Sequence, residues 1–218
     1  DGDLVNGPAW VEGKFGGALE FNGVDSYVGV EEPVGLPSGW APRTTLLWFK
    51  WAEVNWATVS LMGWGQHGIG GQRYAIFLDP LNAIGIETWL PTGPSWLYAW
   101  DGDTEWHHFA AAFPENEVRE AKSDTHKFYF DGEPVEGDTF GTAVTIIDTP
   151  GFPLAIGRSA SWDGWYFNGV IDEVAIFPTE LSAEDIAAIA SDGLERAQAV
   201  SPAGRLATSW ASLKARQP

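Results

Sequence analysis

The chain has no cysteine in its 218 residues and a single methionine. Without cysteine there is no disulfide framework and no thiolate chemistry, and the redox compartment leaves no mark on the composition. Basic residues are scarce as well: 12 Lys and Arg stand against 30 Asp and Glu, a net charge of −18. So acidic a chain excludes nucleic acid or anionic lipid held through a basic face, and it leaves neutral ligands and cations open. No apolar run reaches the roughly 18 residues of a membrane-spanning helix. The chain begins at Asp1 with no methionine and no leader-like apolar stretch, which reads as a processed or trimmed start.

What is present is aromatic and turn-rich. Thirteen tryptophans, 26 glycines and 14 prolines mark many short strands and turns rather than long helices. Period-2 alternation predicts strands over 17–21, 27–30, 44–51, 58–64, 74–79, 83–90, 96–100, 106–113, 125–130, 153–157 and 169–177. Asn22-Gly23, Asp131-Gly132 and Asn168-Gly169 supply tight turns between or before them. After residue 178 the rule changes. Ser182 followed by Asp185 is an N-cap pattern, Ile186, Ile189 and Ala190 fall at helical spacing, and Gly193 is a stop. The expected organisation is one domain over 1–193, followed by a tail over 194–218 that is alanine-rich and carries basic residues. That tail either packs back in part, or is a linker remnant or a docking peptide.

Five segments then occur in a telling order: WVEGKFGGALEFNGVDSYV (10–28), EWHHFAAAF (105–113), KFYFDGEPV (127–135), PLAIGRS (153–159) and YFNGVIDEVAIFPTELSAEDI (166–186). Together they resemble the laminin-G-like members of the concanavalin A-like lectin/glucanase superfamily. The resemblance implies an all-β fold, a two-sheet antiparallel jelly-roll β-sandwich with a short C-terminal helix, in which an early strand pairs with a late one. It also implies lectins, carbohydrate-binding modules, adhesion domains, hydrolases or lyases, because one fold hosts all of these.

The resemblance further implies a structural Ca2+, held by an acid at the position of Asp172 with help from the early segment at Asn22, Gly23 and Asp25. Calcium takes six to eight hard oxygens. The competing reading makes Asp172 a buried acid satisfied by backbone amides and Asp25 an Asx-turn residue. The loop Asp101-Gly102-Asp103-Thr104-Glu105 is oxygen-rich too, and reads as a solvated hairpin.

For sugar, indole faces offer flat apolar platforms to pyranose C–H surfaces, and neutral glycans suit an acidic protein. Trp56, Trp89, Trp96 and Trp100 lie in loop-like surroundings and are the candidate platforms, with His67 and Arg73 as polar helpers at the glycine-rich segment 63–71. Trp48 and Trp106 read as core, and Trp162 and Trp165 around Asp163-Gly164 form a second patch or cover a sheet edge.

An enzyme needs more. The nearest acid pair, Glu115 to Glu120, lacks strand alternation and reads as solvated charge, and His107-His108 has no nucleophilic partner nearby. A lyase with Arg73 on a uronate is the surviving catalytic alternative. The expected function is a non-catalytic, calcium-stabilised carbohydrate-binding module, extracellular or cell-surface, taking a neutral oligo- or polysaccharide and open to attachment to other domains of a larger protein. A protein–protein adhesion module, and a glycoside hydrolase or polysaccharide lyase, are its alternatives.

Overall fold

The computed structural model describes residues 2–55, 57–66, 72–88, 95–114, 126–140, 149, 153–195, 208–209 and 214. In chain order the first strands are β1 (Asp3–Val5), β2 (Ala9–Glu12), β3 (Gly17–Asn22), β4 (Tyr27–Val30), β5 (Arg43–Trp51), β6 (Val59–Gly65), β7 (Arg73–Asp79) and β8 (Ala83–Glu87). They continue as β9 (Ser95–Ala99), β10 (His107–Phe113), β11 (Lys127–Phe130), β12 (Glu133–Val135), β13 (Asp138–Phe140), β14 (Leu154–Ile156) and β15 (Asn168–Phe177), then helix α1 (Ala183–Asp192) and β16 (Thr208–Ser209). One sheet runs β1-β4-β14-β6-β7-β8-β9-β13, the other β12-β11-β10-β5-β15-β3-β2 with β16 added to β15, and every pairing among them is antiparallel. This is the two-sheet jelly roll that the family resemblance implies, built from the strands that alternation predicts, and the early and late strands meet as the resemblance implies, with Phe21 opposite Gly169 and Leu19 opposite Ile171.

The sheets close because alternate residues on each present large apolar side chains inward. Phe21, Leu47, Phe49, Phe109 and Ile171 from one sheet meet Val28, Met62, Trp64, Tyr74 and Ile76 from the other in one buried cluster. Helix α1 buries Ile186, Ile189 and Ala190, and packs beside β12. Its start is fixed by Ser182, whose hydroxyl accepts from Asp185 N at 3.1 Å, and its end by Gly193 at φ 80° donating to Ile189 O at 2.9 Å.

Beyond the expected strands, β1, β2, β12, β13 and β16 add short edges of two to four residues each. β15 contains a bulge between Asp172 and Ala175, where Glu173 takes φ 52°. The bulge leaves Glu173 and Val174 outside the regular ladder, just after Asp172 pairs with Trp48. Part of the tail packs back there, Thr208 and Ser209 pairing with Ile176 and Ala175.

Candidate functional site

The loop leaving β14 is short of regular structure yet tightly pinned. Gly157 N donates to Leu61 O at 2.8 Å, Ser60 N to Trp165 O at 2.9 Å, Ser159 N to Gly164 O at 3.1 Å and Phe167 N to Gly157 O at 2.9 Å. Its ends thus meet, the geometry of an Ω-loop anchored on β6. Anchoring occurs where the β6–β7 register slips between Ser60 and Met62. Trp165 takes φ 57°, an uncommon left-handed conformation for so bulky a residue, held by its carbonyl bond to Ser60.

This loop raises an aromatic and guanidinium cluster. Trp162 and Trp165 meet edge-to-face at 5.2 Å, and Trp162 is 42% exposed, the most accessible indole among the described residues. Arg158 lies 3.8 Å over the Tyr27 ring, and its guanidinium also approaches Asp163 at 3.7 Å. Tyr166 donates its hydroxyl to Asp163, and burial followed by that bond raises the phenol above its ordinary range. Arg158 Nε, Ser159 Oγ and Ser161 Oγ are buried without a hydrogen-bond partner among the described residues. The sequence signal for this site was the Trp162/Trp165 pair around Asp163-Gly164. Tyr27, Arg158 and Tyr166 were missed, because Tyr27 lies far away in sequence and reads only as strand.

The predicted sugar residues are dispersed. Trp96 is 1% exposed and packs on His126 at 4.3 Å inside the core, so its face is closed to a ligand. Arg73 is likewise buried: its guanidinium lies 3.2 Å from Glu87 and 4.5 Å from the Trp165 ring. A uronate-binding role for Arg73 therefore meets an arginine already paired. Trp100 stacks on Trp51 at 5.7 Å and is hemmed by Phe49, His107 and Phe130, leaving it part-buried at one end of the sandwich. Trp56, His67 and Trp89 lie outside the described residues, as do Glu115 to Glu120. Trp48 is buried, as expected, and Trp106 is half-buried.

His107 is bracketed by Asp131 at 2.8 Å and Asp103 at 2.9 Å, one on each ring nitrogen. Burial lowers its pKa, but hydrogen bonds donated by the ring to both aspartates outweigh burial and raise it. His108 is fully buried beside Trp48, and burial pushes it down to about 4. Neither imidazole is placed as a general base.

The residues expected to hold calcium do not converge. Asn22 Oδ1 accepts from the amides of Val24, Asp25 and Ser26 at 2.9–3.1 Å, an Asx-turn arrangement, and Asn22 Nδ2 donates to Asp25. Asn22 sits opposite Asn168, four residues along β15 from Asp172 and so about 13 Å away. Asp172, fully buried, instead accepts from Phe15 N at 2.9 Å and Glu173 N at 2.8 Å, with Lys214 Nζ 3.0 Å from its Oδ1. No group of three or more His, Asp or Glu side chains comes together as metal ligands among the described residues.

The comparisons agree with this architecture. The chain has the fold of domain 4 of an extracellular arabinanase of family GH43 from Geobacillus stearothermophilus, solved with arabinotriose (20% identity, TM-score 0.57, covering 87% of both chains). It is similar to a putative carbohydrate-binding protein from Bacteroides ovatus (16% identity, TM-score 0.55), covering 78% of this chain and 45% of that one. The botulinum neurotoxin serotype G binding domain is a third likeness (9% identity, TM-score 0.61), with 88% of this chain and 46% of that one covered. By sequence alone no curated protein matches. A laminin-G-type family model matches residues 22–187, three quarters of the chain, and with both sheets, the β3–β15 pairing and the capped helix in place the protein belongs to the concanavalin A-like lectin/glucanases superfamily.

Proposed function

We propose that this domain is a non-catalytic carbohydrate-binding module, acting outside the cell, whose ligand platform is the pinned loop carrying Trp162, Trp165, Asp163 and Arg158. The observation that carries the reading is an indole left 42% exposed on a loop whose ends are locked to β6. An exposed ring on a rigid support offers a sugar its stacking face at little entropic cost. Arg158, held over the Tyr27 ring, and Asp163 supply hydrogen-bonding capacity beside it. The arabinotriose bound to the similar arabinanase domain supports a neutral glycan, which also agrees with the net charge of −18. Asp163 serves as a positioning acid here, tied to Tyr166 and Arg158.

Calorimetric titration against a panel of neutral oligosaccharides, beside product analysis of each mixture, tests the reading. Trp162→Ala is expected to weaken the best ligand by about 1–3 kcal/mol, the range for a central anchor, with an unchanged melting temperature. Undiminished affinity would move the platform elsewhere, and cleaved products would establish the hydrolase or lyase alternative. A chain that binds no glycan yet captures a defined protein ligand would be an adhesion module.

A further inference from the structure

The bulge of β15 places two adjacent carboxylates, Asp172 at 0% and Glu173 at 3% exposure, beneath a cleft of about 430 Å³ lined by Phe15, Gly16, Asp192, Gly193 and Lys214. Buried carboxylates demand compensation. Backbone amides meet part of it: Phe15 N and Glu173 N donate to Asp172, and Leu194 N donates to Glu173 Oε2. Gly13 makes the approach possible, since a Cβ there would lie 2.5 Å from Asp172 Oδ2. A cation adds to that compensation. Lys214 Nζ donates to Phe15 O and to Glu173 Oε1, and lies 3.0 Å from Asp172 Oδ1.

We infer that Lys214 is the resident cation of this domain, a tethered ammonium that the C-terminal tail seats between Phe15, Asp172 and Glu173 where the family resemblance predicts calcium. The geometry suits an ammonium: three donors against three oxygens at hydrogen-bonding and ion-pair distances. It suits calcium poorly, because the three oxygens that meet Lys214 among the described residues fall well short of six to eight, and Asn22 and Asp25 are engaged with their own turn. The β16 strand on Ala175 and Ile176 delivers the lysine from a segment 199 residues along the chain from Phe15. Closure of the sheet at the bulge therefore depends on the tail and is independent of divalent ions.

Melting the full chain in chelator and in millimolar calcium chloride, for wild type and Lys214→Met, decides the matter. Wild type is expected to melt at one temperature in both buffers. Lys214→Met is expected to melt on the order of 5 °C lower in chelator, because two buried carboxylates lose their counter-ion. Amide hydrogen exchange at Phe15 and Leu194 should also accelerate in the variant, locating the loss at this cleft. A wild-type melting temperature that rises with calcium would overturn the inference. So would a variant that melts and exchanges like wild type.

Discussion

At the scale of single residues, burial decides what each polar side chain can do. Arg73 and Glu87 face each other at 3.2 Å with 2% and 3% of their side chains exposed, and Arg73 Nη1, Nη2 and Glu87 Oε2 form no hydrogen bond among the described residues. Burial lowers the arginine pKa and raises that of the glutamate, while each partner opposes the shift. Such a pair adds little net stability, yet breaking it strands a charge. Glu87→Ala is expected to cost about 3–5 kcal/mol in urea denaturation, and the double replacement Arg73→Met with Glu87→Leu much less. A single variant as stable as wild type would show that water or another group already compensates the arginine. Arg73 also shows how little of this was legible. A glycine-flanked arginine reads as a ligand-binding helper, and only the β7–β8 pairing, which sets Ala75 opposite Glu87, reveals the partner. Trp96 failed in the same way: its proline-and-glycine neighbourhood resembles a rim loop, whereas alternation from Ser95 turns its indole into the core beside His126.

At the scale of elements, local rules and packing rules separate cleanly. The helix start is local: Ser182 caps it through Asp185, so Ser182→Ala is expected to cost about 1 kcal/mol. The start of β15 is set by packing. Gly169 at φ 154° would place a Cβ 2.2 Å from Lys50 O on β5, so Gly169→Ala should cost more than the cap does. Chemical denaturation of both variants checks the ranking, and equal losses would contradict the close β5–β15 approach. The helix and the long alternating strands were readable because their signals lie within a few residues. The short edges β1, β2, β12 and β13 were not, since three or four residues carry too little alternation and are recruited by a neighbouring strand. The bulge at Asp172 was equally hidden, because the run from Val170 to Phe177 reads as one unbroken strand.

At the scale of the whole molecule, acidity and buried imidazoles shape the response to pH. Burial, with Asp131 opposing, lowers His108 to about 4, and burial reinforced by Arg43 lowers His126 to about 3. Both lie below the unfolded value of about 6.5, so the unfolded chain binds more protons between these limits. Their contribution is complete above about pH 6.5 and is lost on acidification, at up to roughly 1.4 kcal/mol per pH unit for each histidine. His107 acts in the opposite sense: with its pKa raised, its contribution is present below the unfolded value and is lost as pH rises through the folded one. Urea midpoints measured from pH 4 to pH 6.5 are expected to climb, and a flat profile would show that these two imidazoles are protonated in the folded state. The sequence by itself determined the strand-rich character and the capped helix, because period, turn residues and caps act over short distances, while the early-to-late strand pairing was implied only by the family resemblance. Only the tertiary structure decided which indoles meet solvent and which cation meets Asp172. Alternation assigns a side chain to a face without saying what covers that face, and Lys214 reaches Phe15 across 199 residues that no local pattern spans.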